Sequence, residues 1–196
     1  MTTPLAPAAL AQLFDEARSI HRFTDRPVTP ATLQQLYELL KWGPTGFNAQ
    51  PARYLFITTP EAKARLAPAL SSGNRDKTLA APVNVVIAFD SRFHEHLPSQ
   101  FPAYDAKGFF DGAPDWIEPT ARTNATLQAG YLFLAARALG LDVGPMSGFK
   151  PDLIDAAFFA DGRFKSILLA NLGYGERTGL TERGPRLAFA DVAQVL

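Results

Sequence analysis

Residues 83–89, VNVVIAF, decide the fold, because this run is apolar almost throughout and does not alternate with polar residues. Such a run predicts a strand that is buried on both faces. Strand-like runs also occur at residues 53–59, RYLFITT, and 164–175, FKSILLANLGYG. Helical segments separate these strands without the strict alternation of a parallel α/β fold. We therefore expect an α+β domain with a small mixed β-sheet flanked by helices.

Apolar residues at helical spacing predict the helices around this sheet, and capping residues mark their ends. Thr29 can cap a helix that starts at Pro30 and stops at Gly43. Gly140 gives the longest helix a left-handed stop. The expected helices cover about residues 7–18, 30–42, 60–70, 116–139 and 152–159, whereas residues 90–114 are expected to be rich in loops.

No linker divides the chain, so we expect one domain over residues 1–196. The longest helix is rich in small residues, and the tail ends in the apolar run LAFADVAQVL, residues 187–196. Both features favour an oligomer. A monomer with a docked tail remains the alternative.

Composition excludes several classes of function. The 19 basic and 19 acidic side chains cancel, so no basic field is present to hold nucleic acid or an anionic membrane. The chain has no cysteine, which excludes disulfides, Fe–S clusters and thiolate zinc sites. The N-terminal stretch lacks a cationic leader and the apolar runs are too short to cross a bilayer, which predicts a cytoplasmic protein.

Three motifs do not meet the requirements of the sites they resemble. GYGERTG at residues 173–179 has the glycines of a dinucleotide fingerprint, but its spacing is one residue too long. GPMSG at residues 144–148 is not a G-x-S-x-G elbow, and every histidine precedes Ser147, which excludes the order of an α/β-hydrolase. HEH at residues 94–96 lacks a third ligand, so no metal site is expected.

Four other segments together suit a phosphorylated ring held by many neutral hydrogen bonds. Asn74 and Lys77 lie three apart on one helical turn, where an amide and an ammonium can meet the edge of a pyrimidine-like ring. The segment GPMSGF, residues 144–149, predicts a tight, uncharged turn in which Gly148 allows close approach and the backbone N–H groups of Ser147 and Gly148 are available to a ligand. Taken singly, each segment also fits ordinary surface or capping residues. Side chains suited to phosphate oxygens are Arg18, Ser19, His21, Arg22, Arg183 and Arg186.

In their order and spacing, the segments RSIHRF, GPTGFNAQP, GNRDK, GPMSGF and RGPRL resemble the FMN-dependent nitroreductase family. The resemblance covers nearly the whole chain. Further segments, among them KWGPT, ARALGLDVGPMSGF and DAAFFADG, are similar to the short malonic semialdehyde reductases (3-hydroxypropionate dehydrogenases) associated with pyrimidine breakdown. The resemblance implies an entwined homodimer with two FMN molecules at the subunit interface, each contacted by both chains.

The resemblance also implies a role for each segment. Lys77 is the expected electrostatic residue, because a fixed cation near N1 and O2 favours the reduced flavin. The tail from about residue 176 would extend onto the partner, and no side chain is assigned as catalytic. The phosphate and ribityl chain would be held by Arg18, Ser19, His21, Arg183 and Arg186. The pyrimidine edge would meet Asn74 and Lys77, the ring near N5 would lie against Pro145, Met146, Ser147 and Gly148, and the partner would contribute Pro44, Thr45, Gly46 and Asn48.

Departures from the family pattern leave several points open. Ala17 and His21 stand where many members have basic residues, so Arg18, His21 and Arg22 are alternatives for the phosphate contact. Ala52 stands where a tryptophan is common. The smaller side chain either leaves a wider cavity or is compensated by repacking of the neighbouring side chains. The implied reaction is reduction of malonic semialdehyde with NADH or NADPH. A broad nitroaromatic or quinone reductase and a flavin-binding protein without turnover are the alternatives.

Overall fold

The computed structural model describes residues 3–196, and a four-stranded sheet lies at its centre. The strands are β1 (Ala52–Ile57), β2 (Val83–Asp90), β3 (Asp142–Met146) and β4 (Phe164–Gly173), in the spatial order β1-β2-β4-β3. Every residue of β2 is buried. The α+β class and the burial of both faces of this strand are therefore confirmed.

Strand direction differs from the mixed sheet that we expected, because all three neighbouring strand pairs are antiparallel. Among the described residues, parallel pairing is confined to an isolated bridge between Ser19 and Val143, beside β3. The connections between strands determine their direction. The hydrophobic pattern of a single strand does not encode it.

β3 is a strand that the sequence pattern does not reveal. Residues 144–149 are expected to form a turn, but Pro145 and Met146 belong to β3, where Pro145 is opposite Ala170 of β4. Proline is compatible with this place because β3 is at the edge of the four-stranded sheet, where proline is tolerated. The turn itself is thus shorter than expected and begins at Ser147.

Helices surround the sheet. Thr29 Oγ1 caps the second helix by accepting from Thr32 N at 3.1 Å, and Gly140 follows the longest helix with φ 74°, both as expected. The first helix continues as a π-helical turn and ends at Asp15, earlier than expected, while two short helices occupy the segment expected to be loop. The helices are α1 (Pro7–Leu10), α2 (Pro30–Leu40), α3 (Pro60–Leu66), α4 (Ser72–Ala80), α5 (Leu97–Gln100), α6 (Ala106–Gly112), α7 (Ile117–Ala138), α8 (Pro151–Phe158) and α9 (Phe189–Val192).

Both faces of the sheet are covered by helices. On one face, Leu36 of α2 and Leu132 of α7 share a buried cluster with Val85 of β2. On the other face, Leu66 of α3 shares a buried cluster with Val86. Successive residues of β2 therefore point into two different cores, which explains why its apolar residues do not alternate with polar ones.

The C-terminal tail has two parts with different surroundings. Its first part lies on the same chain, where Arg177 donates to Glu16 O at 3.2 Å and to the buried carboxylate of Asp142 at 2.7 Å. The last part carries exposed apolar side chains that are not docked on the chain. These are Leu187, Phe189, Val192, Val195 and Leu196.

Candidate functional site

Arginines from distant parts of the sequence line one cleft beside the N-terminal segment. The cleft has a volume of about 460 Å³, and its lining includes Arg18, Ser19, Arg183 and Arg186. Glu182 is the single carboxylate among the described lining residues. The structure therefore brings together the two segments that the sequence predicts for a phosphate, and the excess of cations suits an anion with several oxygen acceptors.

Backbone carbonyl groups hold two of these guanidinium groups in place. Arg183 Nη2 donates to Asp15 O at 2.5 Å and to Ala17 O at 2.7 Å, where the first helical segment ends and leaves carbonyls without helical partners. Arg18 Nη2 donates to Thr181 O. Since each guanidinium carries five N–H groups, these bonds leave donors for a ligand.

A fourth arginine, Arg137 in the last turn of α7, also lines this cleft. Arg137 Nη1 donates to Leu13 O at 2.9 Å. Burial and, to a lesser extent, the positive charge of Arg183 lower the pKa of Arg137, so the two cations repel each other. A bound anion would relieve that repulsion. Sequence reasoning misses Arg137 because a basic residue at a helix C-terminus is ordinary.

A smaller cleft of about 190 Å³ continues along the same segment and is lined by Ser19, His21 and Arg22. Partial burial and, secondly, the positive charge of Lys77 lower the pKa of His21. The backbone places α4 near β3, because Lys77 O accepts from Asn171 Nδ2 at 3.3 Å and Asn171 is opposite Gly144 of β3.

The segment that carries Ser19 lies directly against β3. Ile20 N donates to Val143 O at 3.2 Å, and a Cβ atom on Gly144 would lie only 2.3 Å from Ile20 O. Glycine is therefore needed at residue 144 for this close approach. The contact places the segment next to the strand whose end carries Met146.

The turn after β3 is bonded to α4. Asn74 Nδ2 donates to Gly148 O at 3.0 Å, and a Cβ atom on Gly148 would lie 2.5 Å from the same nitrogen. Thr78 Oγ1 donates to Met146 Sδ at 3.4 Å. The amide of Asn74 keeps one N–H and its oxygen for a ligand. We call the residues of the arginine cleft, of α4 and of this turn together the cationic strip; it comprises Arg18, Ser19, His21, Asn74, Lys77, Arg137, Pro145–Gly148, Arg183 and Arg186.

The loop of residues 43–51 lies at the other end of the sheet from the cationic strip. The loop leads into Ala52, which is opposite Phe89 near the end of β2. The strip lies beside β3. There Val143 is opposite Leu172 of β4, and Leu172 is in turn opposite Val83 at the start of β2. Within one chain, the structure therefore does not bring four of the predicted cofactor residues to the others. These four are Pro44, Thr45, Gly46 and Asn48.

The histidine pair and the glycine-rich run have structural surroundings. His94 Nε2 lies 3.8 Å from Asp111 Oδ1, and His96 Nε2 lies 3.8 Å from Asp90 Oδ2. Gly175 N, in the run GYGERTG, donates to the Asp142 carboxylate at 3.1 Å. Over residues 3–196, no group of three or more His, Cys, Asp or Glu side chains could hold a metal ion. None of the helices formed by these residues has the length and apolar character needed to cross a bilayer.

Comparison with known proteins defines the family. The sequence model of the Nitroreductase family matches residues 15–174. The chain belongs to the nitroreductase family. A nitroreductase-family relative from Stenotrophomonas maltophilia (strain K279a) is 55% identical over 195 residues and covers 100% of both chains. A second from Burkholderia lata is 54% identical over 193 residues, covering 98% of this chain and 99% of its own. Both carry a provisional name as an NADH dehydrogenase/NAD(P)H nitroreductase.

Solved nitroreductase structures share this fold. A provisionally named nitroreductase from Bacillus subtilis superposes with a TM-score of 0.86 at 20% identity, covering 97% of this chain and 100% of its own. Another from Exiguobacterium sibiricum, in complex with FMN, gives a TM-score of 0.86 at 24% identity and covers 100% of both chains. The family and fold indicated by the sequence are confirmed, and with them the enzyme class, an oxidoreductase.

Proposed function

We propose that this nitroreductase is an FMN-dependent NAD(P)H oxidoreductase and that the cationic strip holds FMN. The observation that carries the proposal is the convergence of four arginines and a serine on one cleft, beside the strand that α4 and the turn at Gly148 also contact. The FMN in the related structure and the nicotinamide nucleotides in the relatives' names support the choice of cofactor and reductant.

The phosphate of FMN fits the arginine cleft by its charge and its acceptor oxygens. Arg183 and Arg18 are already oriented by backbone carbonyls, so little side-chain entropy is lost when they bind an anion. Ser19 adds a neutral donor. Arg137 adds a fourth cation whose repulsion from Arg183 a phosphate would offset. Arg186, at the rim, is turned back on Gly184 O at 2.9 Å and would rearrange to join them.

Residues of α4 and of the turn after β3 suit the flavin ring. When bound, FMN supplies hydride transfer between the nicotinamide and the substrate. Lys77 would stabilise negative charge on the pyrimidine side of the ring, and Asn74 would donate and accept hydrogen bonds at its edge. Ser147 and Gly148 offer backbone N–H groups and close approach near N5. No side chain of the strip is assigned as proton donor to the substrate.

We also propose a homodimer in which Pro44, Thr45, Gly46 and Asn48 reach the FMN bound by the partner. Support comes from exposed apolar side chains next to this loop. Trp42 is 77% exposed, and Leu127 and Tyr131 of α7 are exposed as well. A Cβ atom on Gly43 would lie 2.7 Å from the Tyr131 ring, so the loop begins beside these side chains. Exposed apolar patches commonly mark subunit interfaces.

The undocked tail of residues 187–196 supports the same assembly. β1 is an edge strand, and it borders an apolar groove of about 420 Å³ whose lining includes Leu33 and Tyr37 of α2. Exposed strand edges readily pair with an extended segment of another chain. We propose that this tail, rather than the whole segment from residue 176, crosses to the partner.

For the substrate, we propose malonic semialdehyde, reduced to 3-hydroxypropionate in the cytoplasm during pyrimidine breakdown. The resemblance of segments such as ARALGLDVGPMSGF to that branch of the family supports this choice. Broad nitroaromatic or quinone reduction is the second candidate, and the names of the relatives favour it. A flavin-binding protein without turnover would retain FMN but oxidise NAD(P)H negligibly with any acceptor.

Steady-state kinetics on FMN-replete protein separate these candidates. NADH and NADPH are each paired with malonic semialdehyde, a nitroaromatic compound and a quinone, and kcat/KM is compared, since this ratio measures discrimination between substrates. A clear preference for malonic semialdehyde supports the proposed substrate. A higher kcat/KM for the nitroaromatic or quinone would assign the broad reductase instead, and negligible turnover with all acceptors would leave only a flavin-binding protein.

A further inference from the structure

The loop of residues 43–51 has a backbone that must be held in place by its surroundings. Phe47, Asn48 and Gln50 have φ values of 54°, 50° and 41°. This left-handed region is unfavourable for residues with a Cβ atom. Three such residues within four positions persist only when neighbouring groups fix them, so the contacts of this loop determine where Asn48 points.

Arg53, at the start of β1, makes the contact that fixes the end of the loop. Its Nη1 donates to Gln50 O and to Ala52 O, both at 3.0 Å. Gln50 Nε2 in turn donates to Asn48 Oδ1 at 2.9 Å, and Asn48 Nδ2 donates to Gln100 O at 3.1 Å. Gln50 thus links the guanidinium of Arg53, which binds its backbone carbonyl, to the amide of Asn48, which binds its side chain.

The guanidinium of Arg53 is itself oriented by a buried carboxylate. Asp90 is completely buried, and its Oδ2 accepts from Arg53 Nη2 at 2.6 Å. Asp90 also accepts from Arg163 Nε and Nη2, each at 2.8 Å, and from Arg92 N at 2.9 Å. Burial acts to raise the pKa of Asp90, but the hydrogen bonds from Arg163 and Arg92 N and the positive charges of Arg53 and Arg163 together hold this pKa below its usual value. A charged carboxylate that is held by several hydrogen bonds therefore orients the guanidinium of Arg53 toward the loop.

We propose that Arg53 and Asp90 are positioning residues for the partner's FMN, acting through Gln50 on Asn48. They lie outside the cationic strip, and their side chains make no hydrogen bond to a predicted cofactor residue. The inference rests on the proposed function, because it assumes that Asn48 reaches the FMN of the other subunit. Arg163 provides a matched control, since it binds the same carboxylate as Arg53 but has no hydrogen bond to the loop.

The first test compares Arg53→Met with Arg163→Met in the FMN-containing protein by hydrogen exchange of the peptide that spans residues 43–51. Arg53→Met should speed exchange of this peptide by about tenfold, which corresponds to ~1.4 kcal/mol. Arg163→Met should leave this peptide unchanged, even where both variants lower the Tm. Arg53→Lys keeps a charge opposite Asp90 but loses the fork that reaches Gln50 O, so its exchange should resemble that of Arg53→Met. Equal exchange in Arg53→Met and Arg163→Met would overturn the proposal.

The second test measures the FMN dissociation constant in a double-mutant cycle of Arg53→Met and Asn48→Ala. Each single variant should weaken FMN binding by about tenfold, and the double variant should be no weaker than Asn48→Ala alone, because Arg53 acts through Asn48. Strictly additive effects would show that Arg53 does not act through Asn48. If Asn48→Ala alone left FMN binding unchanged, the assumed contact with the partner's FMN would be wrong, and faster exchange in Arg53→Met would still support its hold on the loop.

Discussion

Arg183→Met isolates the contribution of the arginine cleft to cofactor binding. The substitution keeps most of the side-chain length but removes the guanidinium that donates to Asp15 O at 2.5 Å and Ala17 O at 2.7 Å. Losing these two bonds at a partly exposed site should cost about 1–2 kcal/mol of stability. For a chain of this size, that corresponds to a Tm lower by roughly 2–8 °C.

The effect on FMN should be larger and specific to the phosphate. A charge-assisted bond to phosphate is worth about 1.5–3 kcal/mol, so the FMN dissociation constant should rise by roughly 10- to 100-fold. Riboflavin has the same ring and ribityl chain but no phosphate, so its affinity should change far less. Titration of the FMN-free protein with both flavins, followed by flavin fluorescence, measures the ratio of the two constants.

Arg65→Met is a suitable control for this measurement. The guanidinium of Arg65 also donates to a backbone carbonyl, Ala157 O, and lies over the Phe158 ring at 4.5 Å, but it is outside the cationic strip. It should lower the Tm without changing the ratio of FMN to riboflavin affinity. The reasoning would be refuted if Arg183→Met weakened FMN and riboflavin by the same factor.

Three further predictions concern other parts of the proposed site. Lys77→Met should lower the midpoint potential of bound flavin by about 30 mV, or ~1.4 kcal/mol for two electrons, whereas substitution of the exposed Lys165 by Met should leave it unchanged. Spectroelectrochemical titration measures these potentials, and equal values for Lys77→Met and the unmodified protein would exclude an electrostatic role for Lys77. Because the pKa of His21 is lowered in the folded state, protonation as pH falls from about 7 to 5 should favour unfolding of the FMN-free protein. In a series of thermal melts over this pH range, the Tm of His21→Asn should fall less than that of the unmodified protein, and an identical fall would contradict this assignment. Asn48→Ala should speed FMN release, measured by stopped-flow fluorescence. Dissociation of the proposed dimer should also release FMN, and a monomer that retains FMN equally well would refute the cross-subunit contact.

Local patterns predicted those parts of the fold whose physical cause is local. Residues 83–89 are apolar without alternation because both faces of β2 are covered. Thr29 caps α2 through its own hydroxyl, and Gly140 takes the positive φ that ends α7. β3 escaped prediction because its Gly144 and Pro145 are typical of turns. Pro145 is tolerated in this strand because β3 is at an edge of the sheet. Gly144 is needed there because Ile20 O approaches it closely.

The candidate site was predictable only in part, because its geometry depends on contacts between distant segments. Resemblance indicated Arg18 and Arg183, and the structure brings both to one cleft. Arg137 carries no local signal, since its place in the cleft follows from the packing of α7 against the N-terminal segment. Likewise, the link from Arg53 to Asn48 depends on side-chain hydrogen bonds that residue spacing does not reveal.

The central claim, that the cationic strip holds FMN, is tested most directly by the flavin content of the purified protein. Denaturation of the purified protein should release a flavin that mass spectrometry identifies as FMN, in a ratio close to one per chain, and the same protein carrying Arg183→Met should retain much less. A protein that contains no flavin and does not bind added FMN would contradict the account.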